Sequence, residues 1–467
     1  MKITFVGATG QVTGSMYYIE YEGLKGLIDC GQFQGTLLEE QQNYDNLPFN
    51  ASYLDFIILT HAHVDHSGRL PLLVKRGFQG KVFCTYPTMD LSNIMLRDSG
   101  KIHESENVLE NKKRERAGLP KVQPLYTEED AIEALIYLYP LEYNKTEDIS
   151  DTFHFEFVDA GHLLGSASVI IHYTDDGIQK TMCFSGDLGN STNPVQNPPA
   201  KIEKANIVIM ESTYGDRLHL GIEKRMDHLV EIIQKADAEN GTVIIPSFAV
   251  GRTQELIFFI KEFLETADDA TKELMLRMPI YVDSPMALEA FKVYESDVKY
   301  LSPKIANYPG RPFSLPNLHL IETIEQSIML NKSKEPKIII SASGMCDAGR
   351  IKHHLKHYLW RSNTHLVFIG YQANETLGRL IQDGEKTLNI LDETIAVKAN
   401  IHTISGFSGH ADKNKLLDWV KAIQGVEKIF IIHGEPEVME VFADNLSNHL
   451  EPSCEIIIPG PFETFQI

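Results

Sequence analysis

The sequence predicts an α/β protein, and three observations predict it. Short apolar runs of four to six Val, Ile, Leu or Phe recur and end abruptly in polar or glycine-rich tails. The tails carry the titratable residues, and stretches of helical character separate the runs. Continuous apolar strands of this kind are buried on both faces, as in a sheet covered by helices.

The strands are FIILTHAHVDH from Phe56, NIVIMESTYG from Asn206, TVIIPSFAVGR from Thr242, KIIISASGMCDAGR from Lys337, HLVFIGYQANETLGR from His365 and KIFIIHGE from Lys428. Helices are predicted from Thr88 through the charged run ENKKRERAG, and over Thr127–Leu138, where TEEDAIEAL opens with a capping Thr and early carboxylates. The charged run reads as a solvated helix face. At 467 residues the chain exceeds one ordinary core, so two domains are expected. His- and Asp-rich strand ends occupy the first 211 residues and return after about Ile401, which predicts one domain interrupted by another.

The composition, 43% hydrophobic and 23% charged, is that of a folded protein and excludes a disordered or collagen-like chain. No apolar run approaches the roughly 18 residues of a membrane span, and MKITFVGATGQ is too short for a signal core, so no membrane insertion and a cytoplasmic location are expected. The five cysteines form no CxxC pair, which argues against a thiolate metal site or a disulfide framework. A formal charge of −21 opposes indiscriminate polyanion binding and leaves room for a locally basic surface.

The string HAHVDH holds four ligand-type residues in six. Leaving a strand, His61, His63 and Asp65 can share a side, with His66 turned to a neighbouring position. Imidazole and carboxylate without thiolate favour two Zn²⁺, with Mn²⁺ or Fe possible. Further ligands are expected at other strand ends: His162 in DAGHLLGSAS, Asp187 in FSGDLG and His433 in IIHGE. One metal would take His61, His63 and His162 and the other Asp65, His66 and His433, with Asp187 bridging and Asp29 orienting a histidine. Such a pair acidifies a water and points to hydrolysis. His410 is the best unassigned proton donor and Glu211 could orient it, although a capping Glu211 and a structural His410 remain open at this point. Three strands end in Gly-Arg before a helix, at Arg252, Arg350 and Arg379, and could track phosphates; turn glycines with salt-bridged arginines are the alternative.

On HAHVDH, DAGH, SGDLG, FAVGRTQEL, VDSPMA, SASGM...GR, GYQA...TLGR and SGFSGHAD, the chain resembles the metallo-β-lactamase fold nucleases with a β-CASP insertion over essentially its whole length. It looks closest to the bacterial and archaeal relatives of the endonuclease subunit of the cleavage and polyadenylation specificity factor. The resemblance implies an αββα sandwich from residues 1–213 and 396–467, with the β-CASP domain, 214–395, as a cap and RNA entering between them. It implies that Asp29, the HAHVDH residues, His162 and Asp187 are the metallo-β-lactamase motifs, and that Glu211, His410 and His433 are the β-CASP acid, proton donor and metal ligand. A histidine at the last of these goes with RNA-cleaving members. Ser408 and the Gly-Arg loops become candidates to hold phosphates. Three places depart from the family pattern: Glu375 where a permissive glycine is usual, Gly409 for an alanine, and Cys346–Ala348 in the loop before Arg350.

The implied function is a metal-dependent ribonuclease that hydrolyses phosphodiester bonds of single-stranded RNA through a dinuclear-zinc-activated water, with Asp65, Glu211 and His410 in catalysis. It would leave a 5′ phosphate and a 3′ hydroxyl. No appended RNA-binding module is visible, so extra grip could come from a homodimer or from a partner. The rivals are a hydrolase of a small thioester, lactone or amide on the same fold, and a non-catalytic RNA-binding scaffold.

Overall fold

A computed structural model describes residues 1–219 and 224–467. It divides into two compact units, one of residues 1–218 with 410–467 and one of residues 219–409.

The first unit is built on two sheets. Among the described residues, one runs in the order Thr464–Gln466, Lys2–Phe5, Tyr17–Tyr21, Leu24–Ile28, Phe56–Ile58, Lys81–Thr85, Leu138–Leu141. The other runs Glu455–Ile457, Lys428–Ile432, Ile207–Glu211, Ile178–Phe184, Ala167–Asp175, Phe153–Asp159, Thr146–Ser150. Alternate residues of each strand face inward, so Phe5, Tyr17, Ile19, Ile28 and Phe56 of one sheet meet Phe153, Phe155, Phe157, Phe184, Ile209 and Phe430 of the other in a shared core. The opposite faces are apolar too. Leu27, Ile57 and Val82 are covered by Leu70, Leu73, Leu96 and Ala131 from helices, and Val208, Met210 and Ile431 by Leu416, Val420, Met439 and Phe442. Burial on both faces accounts for the unbroken apolar runs and yields the αββα sandwich.

The second unit carries a parallel sheet in the order Leu318–Leu320, Ile280–Asp283, Lys337–Ser341, Thr242–Pro246, Thr364–Phe368, Asn400–Thr403. The last of these lies beyond residue 395, where the sequence reading ended the insertion. It pairs with Thr364–Phe368, so contacts carry the inserted unit on to Gly409.

The predicted helices form as Tyr86–Arg116 and Glu128–Leu135, the latter capped by Thr127 and Asp130 reciprocally. The second stops short of Leu138, which opens a strand. Among the described residues no helix is long and apolar enough to cross a membrane.

Candidate metal centre and proton donor

Strand ends bring the ligand-type residues together. The strand Phe56–Ile58 stops before HAHVDH, and a turn leads into the short helix Val64–Ser67. The extended alternation expected for His61, His63 and Asp65 is therefore not how they converge: the helical turn carries Asp65 and His66, and His63 stands at its start. His162 follows Phe153–Asp159, Asp187 follows Ile178–Phe184, and His433 follows Lys428–Ile432 with a positive φ of 52°.

Two groups result, each able to hold a metal ion, with ligand atoms within 4.8 Å of one another. In the first, His63 Nδ1 lies 3.1 Å from His61 Nε2 and 3.3 Å from His162 Nε2, and Asp187 Oδ2 is 3.5 Å from His61 and 3.6 Å from His162. In the second, His66 Nε2 lies 3.3 Å from His433 Nε2 and 3.2 Å from Asp187 Oδ1, and Asp65 Oδ2 is 3.4 Å from His433. Asp187 belongs to both, one oxygen to each.

This donor set fits divalent cations. Ring nitrogens that face one another at hydrogen-bond distance cannot all be donors and acceptors in turn, whereas a cation satisfies their lone pairs together. Burial pushes His61 below its ordinary range and His63 down to about 4, leaving them in the neutral form that ligates. For Asp187, burial opposes ionisation, but His433, His66 and His61 outweigh it and hold the carboxyl well below its usual range. Burial likewise opposes charge on His66, yet Asp187, Asp29 and Asp65 push its pKa well up.

Neighbouring residues hold the candidate ligands in place. Asp29 Oδ2 sits 2.7 Å from His66 Nδ1, and its carboxylate is fixed by the amide and hydroxyl of Thr60 at 2.7 and 2.9 Å. Thr213 Oγ1 lies 3.0 Å from His433 Nδ1. Sequence reasoning found Asp29 but missed Thr60 and Thr213. Their only signal was position, one before His61 and two after Glu211.

Glu211 and His410 form a second element. Both Glu211 oxygens lie 3.2 Å from His410 Nδ1, and the Leu188 amide donates to Oε1 at 2.6 Å. His410 is tied in by a bridge to Gly189 and by Ala411 donating to Leu188 O at 2.8 Å. Burial alone would lower the His410 pKa; the Glu211 carboxylate prevails and pushes it up to about 9. Its Nε2 points to Asp187 Oδ2 at 3.9 Å. Asp187, Glu211 and His410 also constitute a third group able to hold a metal.

The Gly-Arg loops lie in the second unit, and each arginine has an internal carboxylate. Arg252 pairs with Glu255, Arg379 with Asp383 at 3.0 Å, and Arg350 with the buried Asp283 at 2.6 Å. Asp283 also takes His354 Nε2 at 2.8 Å and the Ser327 hydroxyl. The helix starts are satisfied as well: Gly251 N donates to Gln254 Oε1, Arg379 N to Thr376 Oγ1 and Leu377 N to Asp347 Oδ1. These contacts account for the arginines without a phosphate. Ser408 is buried in this unit, just beyond the turn Ser405–Phe407.

Comparison with known proteins agrees with this architecture. The Metallo-beta-lactamase superfamily matches residues 9–208, the Beta-Casp domain 253–381, and the Zn-dependent metallo-hydrolase RNA specificity domain 394–459. Ribonuclease TTHA0252 of Thermus thermophilus is 37% identical over 94% of this chain and 94% of its own length. An RNase J-like protein of Methanocaldococcus jannaschii is 31% identical over 93% and 92%, and the transcription termination factor FttA of that organism 30% over 96% and 69%. A crystal structure of a protein of unknown function from Enterococcus faecalis covers 99% of both chains at a TM-score of 0.52 and 14% identity, which shows the shared fold. On relatives of this likeness, matched over nearly their full length, the chain belongs to the β-CASP ribonucleases of the metallo-β-lactamase superfamily, metal-dependent hydrolases.

Proposed function

We propose that the chain hydrolyses phosphodiester bonds of single-stranded RNA, with one zinc ion held by His61, His63 and His162, a second by Asp65, His66 and His433, and Asp187 shared. The observation that carries this reading is the shared carboxylate: Asp187 turns Oδ2 to His61 and His162 and Oδ1 to His66 and His433. When bound, paired divalent cations supply an acidified water and neutralise phosphate charge; zinc suits the imidazole-rich set, with manganese next.

The chain's own residues do the rest. Asp29 and Thr213 engage the Nδ1 atoms of His66 and His433, which leaves their Nε2 atoms directed inward. Glu211 holds His410 Nδ1 and favours the protonated ring, so Nε2 has a proton to give to the departing ribose oxygen. The products are a 5′ phosphate and a 3′ hydroxyl. Ser408 and Arg379, the more exposed of the loop arginines, are kept as phosphate contacts. The proposal includes a cytoplasmic role in RNA processing or decay and assembly as a homodimer.

Elemental analysis alongside cleavage of 5′- and 3′-labelled RNA and the matching DNA tests it. Two equivalents of zinc with RNA-selective cutting are expected. Two zincs with no RNA cleavage, but turnover of a thioester or nitrocefin, would sink it in favour of the acyl-hydrolase rival.

A further inference from the structure

Of the arginines at strand ends, Arg252 and Arg350 are held by buried carboxylates and only Arg379, in an exposed pair, stays available, so further cations for a polyanion have to be sought elsewhere in this acidic chain. They stand at the far end of the long helix Tyr86–Arg116 and in the loop that follows. Residues 111–121 hold five Lys or Arg against one Glu in a chain of formal charge −21. Lys112, Lys113, Arg116 and Lys121 are all exposed, and among the described residues none has a carboxylate partner. Arg114 alone serves the fold, donating from Nε to Pro120 O at 2.6 Å with Glu110 nearby.

The geometry gathers these charges. Arg116 is four residues from Lys112 and three from Lys113, so the three share one helix face. The helix ends at Arg116, and just beyond its cap Gly118, with a φ of +68°, turns the chain back, Gly118 N donating to Glu115 O and Leu119 N to Arg114 O. Asn111 then exchanges two hydrogen bonds with Val122, at 2.8 and 2.9 Å, and lays Lys121 beside the helix. Like charges at this spacing repel one another and weaken the helix. The helix dipole favours cations in the last turn. It does not account for Lys121 beyond it.

The helix also touches the turn that carries Asp65 and His66. It packs on Val64–Ser67, and His103 Nε2 contacts Gln32 Oε1 at 3.2 Å while Gln32 N donates to Val64 O at 2.9 Å. From His103 to Arg116 the helix rises roughly 20 Å. A cationic face at that distance suits a strand already engaged at the metals and running outward.

We infer that Lys112, Lys113, Arg116 and Lys121 form a second binding site for the RNA backbone, one that grips phosphates remote from the bond being cut. The inference rests on the ribonuclease reading for its ligand. It requires contacts that are electrostatic, indifferent to base sequence and available only to longer substrates.

The test compares the full-length protein with Lys112→Glu/Lys113→Glu/Arg116→Glu, using RNAs of about 4 and about 20 nucleotides, which bracket single-strand site sizes. For the long RNA, KM is expected to rise about tenfold. The slope of log affinity against log salt should shrink by about 2, at ~0.7 per lost phosphate contact. The short RNA should be cut with unchanged kcat and KM, and Tm should hold, because the side chains are exposed. Unchanged KM and salt slope for the long RNA would overturn the inference. So would a change of oligomeric state with RNA affinity intact, which would assign the face to a second copy of the chain. Anisotropy with labelled long RNA under chelation separates the two readings. Wild type that binds RNA through this face yet never cuts it would refute the ribonuclease reading and leave the site standing.

Discussion

Glu211 and His410, 199 residues apart in sequence, meet with both carboxylate oxygens 3.2 Å from one imidazole nitrogen. The symmetric contact fixes the ring about its own axis and reserves Nε2 for the side on which Asp187 lies. Orientation and charge are thus supplied by one residue, itself held by the Leu188 amide.

His410→Ala is therefore expected to keep its metal and to lose kcat by about 10²–10⁴, the range of a missing general acid. Elemental analysis beside steady-state kinetics checks this. Loss of metal together with rate would instead make Asp187, Glu211 and His410 a ligand set. His433→Ala and Asp65→Ala, by contrast, should lose metal and activity together.

Asp283 is fully buried and answers Arg350, His354 and Ser327 at once. Asp283→Ala leaves the half-buried Arg350 guanidinium and the buried His354 without their carboxylate and should destabilise by about 3 kcal/mol. Arg379→Ala, which breaks a surface pair, should cost less than about 1 kcal/mol. Urea unfolding of the two variants distinguishes an ion pair on which the fold depends from one that it can lose.

Lys337 is buried at the start of its strand, with Nζ donating to Ser333 O at 3.0 Å. Burial, and then Arg361, lower its pKa from 10.5 to about 8. The unfolded chain binds the proton more tightly, so the penalty is full below pH 8, falls as pH rises, and is gone above the unfolded value. Lys337→Met should accordingly be more stable than wild type at pH 7, by up to about 3 kcal/mol. Melting curves across alkaline pH should show the advantage shrinking; an advantage independent of pH would mean that the charge is not its source.

Glu375 occupies the left-handed region, φ +64°, where the family pattern has glycine. A side chain there costs about 1–2 kcal/mol, while glycine returns about 0.4–1 kcal/mol of unfolded-state entropy. Glu375→Gly should gain about 0.5–1 kcal/mol, readable as a rise in Tm.

Much of the site was legible because its chemistry tolerates few residue types. His61, His63, Asp65, His66, His162, Asp187 and His433 each stand where an apolar run ends, and strand ends converge in a layered sheet. Thr60 and Thr213 were not legible: a hydroxyl that aims an imidazole resembles any other loop threonine. The path of HAHVDH was misjudged because alternation and a helical turn can both gather ligands from so short a string. Arg350 misled for a related reason. A Gly-Arg pair before a helix advertises a cation, but its partner Asp283 lies 67 residues away and only folding joins them.

The strand Lys428–Ile432 joins Ile207–Glu211 in parallel within the second sheet of the sandwich, and the whole inserted unit lies between them in the chain. During synthesis the first 211 residues emerge with that edge of the sheet unpaired, and His433 does not yet exist. The inserted unit has its own core and can fold meanwhile. Closure of the sandwich must await Lys428–Ile432, a contact of very long sequence separation and hence a slow one. A nascent chain that lacks this strand exposes an aggregation-prone sheet edge, and that edge is what co-translational chaperones would meet until Lys428–Ile432 emerges.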